Sequence, residues 1–200
     1  MSQALRRPLL TVDEFHAWEP PPGLEDRRWE LVDGEPACMA PPGVNHRAIQ
    51  NQVGMLLGIH LRTYRPSCRI ITTPGVIPHL RSRFNERVPD LGVSCAPFID
   101  SRALVEPVLL VEILSPSNEA KTRANAWAYA TIPSVREVLI LSSTAARGKI
   151  LRQGDDTPTI LVGREPLRLE SIDYSGCLAD FYATTDLVRF GGAAAVAGWI

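Results

Sequence analysis

Glu112 interrupts an otherwise apolar run, Pro-Val-Leu-Leu-Val-Glu-Ile-Leu, from Pro107 to Leu114. Side chains alternate along a strand, so Leu110, Glu112 and Leu114 share one face while Leu109, Val111 and Ile113 share the other. Runs of this kind lie at a sheet centre, covered on both faces. An unpaired ionised carboxylate is costly there, and either a bound cation or an Arg/Lys partner can compensate it. Asp90 stands in Val88-Pro89-Asp90-Leu91-Gly92-Val93. Pro89 cannot donate to a ladder and marks a strand start, which makes Asp90 the first residue to enter the sheet. Gly92 on the same face is expected to leave room beside the carboxylate. Alone, Asp90 is equally readable as a strand-start residue accepting local backbone hydrogen bonds. Paired with a buried glutamate on an adjacent strand, it points to a carboxylate centre for a divalent metal.

The elements that must position these residues are legible as a pattern. Thr11 to Trp18 reads as a short helix with Thr11 and Glu14 as a capping box, stopped by Pro20-Pro21-Pro22-Gly23. Arg28 to Val32 and Glu35 to Met39 form a hairpin through Asp33-Gly34. Ile49, Val53, Leu56, Leu57, His60 and Leu61 recur at helical spacing and predict a helix over about 45–64, in which Gly54 and Gly58 mark close packing. Strands are expected at about 69–73, 76–80, 90–95, 107–114, 135–141, 149–152, 159–162 and 167–171. Ser117 is a plausible N-cap for a helix running to about Ala130, and Gly176 to Tyr182 reads as a short final helix. The order implies one central mixed sheet flanked by helices, an α/β (α+β) architecture.

The bulk properties narrow the function. With 200 residues, 45% hydrophobic and 22% charged, the chain is an ordinary globular protein. It reads as one domain over 1–187 with a Gly/Ala-rich tail over 188–200. A net charge of -1 argues against a protein that coats nucleic acid through many phosphate contacts. Cys38, Cys68, Cys95 and Cys177 form no C-x-x-C pair, so reduced thiols are expected rather than a zinc knuckle or a disulfide framework. The N-terminal residues lack the apolar core of a signal peptide and no run approaches a membrane span, so a cytoplasmic location without membrane contact is expected. Phosphate-binding glycine loops, dinucleotide fingerprints and nucleophilic Ser or Cys motifs are absent from the sequence.

Taken in order, Trp29-Glu30-Leu31-Val32-Asp33-Gly34-Glu35, Met39-Ala40-Pro41-Pro42, His46, Val88-Pro89-Asp90-Leu91-Gly92-Val93 and Val111-Glu112-Ile113-Leu114-Ser115-Pro116-Ser117 resemble the Uma family of restriction endonucleases. The likeness continues through Tyr129 and Ile132-Pro133-Ser134-Val135-Arg136-Glu137 and covers nearly everything from Thr11 to Leu187. It implies the PD-(D/E)xK nuclease fold, a restriction-endonuclease-like mixed sheet, with Mg²⁺ (Mn²⁺ as a substitute) and no small-molecule cofactor. It makes Asp90 the PD aspartate and Glu112 the second acidic ligand, with Glu30 similar to the upstream acidic residue that joins such sites. The main-chain carbonyl of Ile113 is a further expected ligand.

The sequence departs from the family pattern at the lysine. An E-x-K motif would place it at position 114, where Leu114 stands, and the helical position to which family members move it is matched by Asn125. Lys121 lies one turn earlier on the same helix face and is the expected substitute, with a solvated lysine as the alternative. His46 reads as a capping or packing residue, and Trp127 and Tyr129 as helix packing. The loop carrying Arg81, Arg83 and Arg87 is read either as a phosphate contact or as a solvated loop. The reading that results is a Mg²⁺-dependent endonuclease acting on DNA as a homodimer. Its alternatives are a catalytically impaired DNA-binding or assembly protein, and a metal-dependent hydrolase of another phosphoester.

Overall fold

The computed structural model describes residues 9–116 and 119–188. The expected N-cap Ser117 and the tail beyond 188 lie outside the described residues. Helix α1 (Val12–His16) carries the capping box, with Thr11 Oγ1 accepting from Glu14 N and Glu14 Oε2 accepting from Thr11 N. Strands β1 (Trp29–Val32) and β2 (Glu35–Cys38) form the expected hairpin. Asp33 and Gly34 at its tip both have positive φ, 49° and 86°, as a type I′ turn requires.

The main sheet has the order β3-β4-β5-β6-β7-β8. Its strands are β3 (Arg69–Thr72), β4 (Leu91–Ser94), β5 (Pro107–Leu114), β6 (Glu137–Ser142), β7 (Arg147–Arg152) and β8 (Thr159–Val162). All neighbours are antiparallel except β5 and β6. Parallel neighbours need a long crossover, and α3 (Glu119–Ala130) lies in that connection. Helix α2 (Val44–Tyr64) precedes β3.

The two faces of β5 divide the core as the alternation requires. Leu109, Val111 and Ile113 join Ile49, Val53, Leu57 and Leu61 of α2 in one cluster. Each of those α2 side chains is essentially inaccessible, and such burial contributes roughly 1.5–3 kcal/mol per side chain. On the other face, Leu110 packs with Ala126, Tyr129, Ile132 and Ile140. Glu112 projects into this second layer, under α3.

Several expectations are corrected. Val76 makes only an isolated bridge to Arg87, and the run to Leu80 is not a strand. Pro78 removes a ladder donor there, and Leu80 N donates instead to Thr131 Oγ1. The run 167–171 splits into β9 (Pro166–Leu169) and a 3-10 turn, with β9 paired to β10 (Tyr174–Cys177). The room at Gly92 is not left for the carboxylate. A Cβ there would stand 2.7 Å from Leu104 Cδ2 and 3.0 Å from Pro74 Cγ, so the glycine admits those apolar side chains. Cys68 and Cys95 are joined in a disulfide, while Cys38 and Cys177 are free thiols. Arg69 pairs with Ser94, which makes Cys68 and Cys95 the next cross-strand pair, a proximity that sequence spacing does not encode.

Candidate metal centre

Asp90 sits just before β4, where Leu91 pairs with Val111 of β5. Its side chain turns onto β5, and Oδ2 accepts the Ile113 N–H at 2.6 Å. Oδ1 is 2.8 Å from His46 Nε2, which donates to it from the first turn of α2. The Asp90 main-chain carbonyl accepts from Gln50 Nε2 at 2.8 Å and from Thr73 N at 2.9 Å. His46 and Gln50 are four residues apart and therefore share a helix face. One turn of α2 thus fixes both the carboxylate and the backbone of Asp90.

Glu112 is held from the opposite layer. Its Oε1 accepts from Tyr129 Oη at 2.6 Å and from Asn125 Nδ2 at 3.3 Å, both on α3. Burial pushes its carboxyl up to about 8, and the neighbouring Asp90 charge adds to the rise, against the two hydrogen bonds. In the metal-free protein burial thus favours the protonated form of Glu112. Burial and the adjacent Glu112 also raise the Tyr129 phenol, which stays a hydrogen-bond donor.

Glu30, on β1, is completely buried. Lys121 Nζ lies 3.0 Å from its Oε1 and Arg87 Nη1 3.9 Å from the same atom. The lysine approaches off the hydrogen-bonding axis, so neither Glu30 oxygen has a directed hydrogen bond. Arg87 is itself buried and donates to Asn125 Oδ1 at 3.2 Å and Asn85 Oδ1 at 3.1 Å. Asn125 consequently joins the two halves of the site, accepting from Arg87 and donating to Glu112.

The structure brings Asp90, Glu112 and the Ile113 main chain to one point, and Glu30 and Lys121 to each other. Among the described residues, no three His, Cys, Asp or Glu side chains are grouped to hold a metal ion. The available donor set is the Asp90–Glu112 pair with main-chain and solvent oxygens. Mg²⁺ accepts such a set, since it keeps several waters and uses one or two carboxylates. A cation beside both carboxylates would also offset the burial and the Asp90 charge that together favour the protonated Glu112.

The profile of the Uma2 family, described as "Putative restriction endonuclease", matches residues 12–172. The chain belongs to the Uma2 family. An uncharacterized protein from Synechocystis sp. is 28% identical over 174 residues, covering 84% of this chain and 88% of that protein. A crystal structure from Anabaena variabilis, titled as a "putative nuclease belonging to DUF820", superposes with a TM-score of 0.71 at 16% identity. It covers 88% of this chain and 98% of that one, so the restriction-endonuclease-like fold is shared along nearly the whole length.

Within this Uma2 chain, several site residues carry more than the sequence reading assigned to them. His46 and Tyr129 were expected to cap or pack, yet each hydrogen-bonds a site carboxylate. The available signals were spacings: His46 with Gln50, and Lys121, Asn125 and Tyr129 repeating every fourth residue along one face of α3. Trp127, expected to take part in helix packing, is 80% exposed. At 100° per residue it lies about 200° from Asn125 and Tyr129 and must face away from the sheet. Arg87 is not a loop phosphate contact but a buried part of the site. Arg81 pairs with Asp33 at 3.4 Å, and Arg83 lies over the Phe84 ring. Among the described residues no helix is long and apolar enough to cross a membrane.

Proposed function

We propose that this Uma2 chain is a Mg²⁺-dependent endonuclease hydrolysing DNA phosphodiester bonds. The observation that carries the reading is the pair of buried carboxylates, Asp90 just before β4 and Glu112 on the adjacent β5, with Asp90 bonded to the Ile113 N–H. Asp90 and Glu112 would hold the metal, with the Ile113 carbonyl as a further oxygen donor and Glu30 as the acidic group beside them. When bound there, Mg²⁺ supplies Lewis-acid stabilisation of the phosphate and a more acidic water.

The protein's own groups do the rest. His46 and the Ile113 N–H keep the Asp90 carboxylate oriented, and Tyr129 and Asn125 fix Oε1 of Glu112. Lys121, with a third of its side chain exposed and its ammonium on Glu30, would be the cation offered to an incoming phosphate or water. The scissile phosphate belongs to DNA in this reading, and a homodimer would provide the two centres that cutting a duplex needs.

A second reading has its own support. Leu114 occupies the E-x-K lysine position and Asn125 the helical one, so a metal- and DNA-binding protein with little turnover retains the same carboxylates. A net charge of -1 supports a third, in which the phosphoester is not DNA. Supercoiled plasmid and single-stranded DNA, each with Mg²⁺, Mn²⁺ or chelator, separate these readings. Metal-dependent nicking that disappears in Asp90→Ala and Glu112→Ala is the expected result. Cleavage that persists in both variants would remove the site assignment, and DNA binding without cleavage would favour the second reading.

A further inference from the structure

Building on the nuclease reading of this centre, we propose that Glu30 is the anchor of Lys121, a positioning residue rather than a third metal ligand. The chain contains two lysines, Lys121 and Lys149, against 19 arginines. A sequence that uses arginine for almost every cation carries lysine at the helix position next to the carboxylates. An ammonium is a compact point charge on a flexible stem, whereas a guanidinium is a broad planar fork. The former contacts a single carboxylate oxygen of Glu30 while a third of its side chain stays open to solvent.

The surroundings show what confines it. Lys121, Asn125 and Tyr129 lie along one face of α3 at intervals of one turn. Tyr129 and Asn125 are committed to Glu112, and Asn125 also takes Nη1 of Arg87. Asn125 is neutral, so the stretch of α3 above Glu112 brings no charge of its own, and the next residue on that face is Lys121. Its Nζ is 3.0 Å from Glu30 Oε1. The two Nη atoms of Arg87 are occupied by the side-chain amides of Asn125 and Asn85, and Nη1 stays 3.9 Å from Glu30. Arg87 therefore acts on Glu30 through its charge, and Lys121 makes the close contact.

Glu30 is suited to this role and poorly placed for the other. It is fully buried on a hairpin strand, so it offers a fixed charge with little freedom of its own. Lys121 is 34% exposed and would otherwise sample many rotamers in solvent. A ligand carboxylate would instead be grouped with Asp90 and Glu112, and among the described residues no three such side chains are grouped for a metal. Neither Glu30 oxygen accepts a directed hydrogen bond, so its charge is balanced by the two cations through space.

The test compares wild type, Glu30→Gln, Glu112→Gln and Lys121→Met, each checked for folding by circular dichroism. Calorimetric titration with Mn²⁺ reads metal affinity. Brief labelling of the metal-free protein with an amine-reactive reagent, quantified by mass spectrometry, reads Lys121 with Lys149 as the internal control. In Glu30→Gln we expect Mn²⁺ affinity within about threefold of wild type, against a loss of tenfold or more in Glu112→Gln. We expect the Lys121 labelling rate to change severalfold while that of Lys149 does not. Plasmid nicking should fall equally in Glu30→Gln and Lys121→Met, with no further loss in the double variant, and Glu30→Asp should recover part of it. A loss of Mn²⁺ affinity in Glu30→Gln equal to that in Glu112→Gln would make Glu30 a ligand and overturn the proposal. Unchanged Lys121 labelling would overturn it as well. Labelling needs neither metal nor DNA, so it still decides the anchor if wild type proves inactive, in which case the nuclease reading alone fails. If Glu30→Gln does not fold, Glu30→Met, which also removes the carboxylate, takes its place in both measurements with the same criteria.

Discussion

At the scale of single residues, the consequence most open to measurement concerns Glu112. Its carboxyl is raised to about 8 in the folded protein, first by burial and then by Asp90, against an ordinary value of 4.5. Between these limits the unfolded chain has released the proton and the folded chain still holds it. The folded state then binds more protons, so stability falls as pH rises, at about 1.4 kcal/mol per pH unit from this group. Metal-free wild type is expected to lose thermal stability from pH 5 to 8, and Glu112→Gln to flatten that slope by most of this amount. Parallel slopes in the two proteins would show that Glu112 ionises normally. The suspicion attached to Glu112 was legible in the sequence, because a carboxylate in an apolar strand demands compensation. What the sequence could not show was the compensator. Tyr129 and Asn125 reach Glu112 only because β5 and α3 stack, and His46 reaches Asp90 across 44 residues of chain.

At the scale of elements, the alternating face of β5 and the long period of α2 were readable because burial there follows a simple repeat. The run from Val76 to Leu80 has the apolar residues of a strand, but Pro78 denies it a ladder partner and it forms only the bridge at Val76. β10 is not legible in the sequence because Tyr-Ser-Gly-Cys has no strand pattern, and the strand exists through its pairing with β9. Glu137 illustrates how elements are locked by contacts that no local pattern announces. Its buried carboxylate at the start of β6 accepts from Arg152 Nε, Glu170 N, Ser171 N and Ser171 Oγ. It ties β6 to β7 and to the turn after β9. Glu137→Ala would strand a partly buried guanidinium and two main-chain donors, at a cost of about 3–5 kcal/mol. Urea unfolding should report that loss as a lower midpoint, and a change under about 1 kcal/mol would mean that solvent replaces the carboxylate readily. The disulfide acts at this scale too. Cys68 and Cys95 are 27 residues apart, and closing a loop of that size stabilises by about 3–4 kcal/mol on the chain-entropy estimate. Reductant should therefore lower the melting temperature of wild type and leave Cys95→Ser unmoved.

At the scale of the whole molecule, net charge bears on how a nucleic acid would be held. Each phosphate neutralised by a basic side chain contributes about -0.9 to the slope of log affinity against log salt. A chain with net charge -1 that also pairs several of its 19 arginines internally has that much less free positive charge for the purpose. Arg87 is buried against Asn125 and Asn85, Arg152 is bound to Glu137, and Arg65 and Arg81 are paired with Asp173 and Asp33. The sequence exposed the overall balance but not these pairings, which depend on contacts between distant segments. If the proposed centre at Asp90 and Glu112 binds a metal, association with duplex DNA should lean on that metal more than on counterion release. The expected slope is shallow, on the order of -2, for a labelled duplex followed by fluorescence anisotropy from 50 to 200 mM KCl with Ca²⁺ in place of Mg²⁺. Chelator, or the Asp90→Ala substitution, should weaken this binding more than the entire salt range does. A slope steeper than about -6, unaffected by chelator, would instead place the binding energy in a basic surface. The carboxylate centre would then contribute to catalysis without contributing to capture.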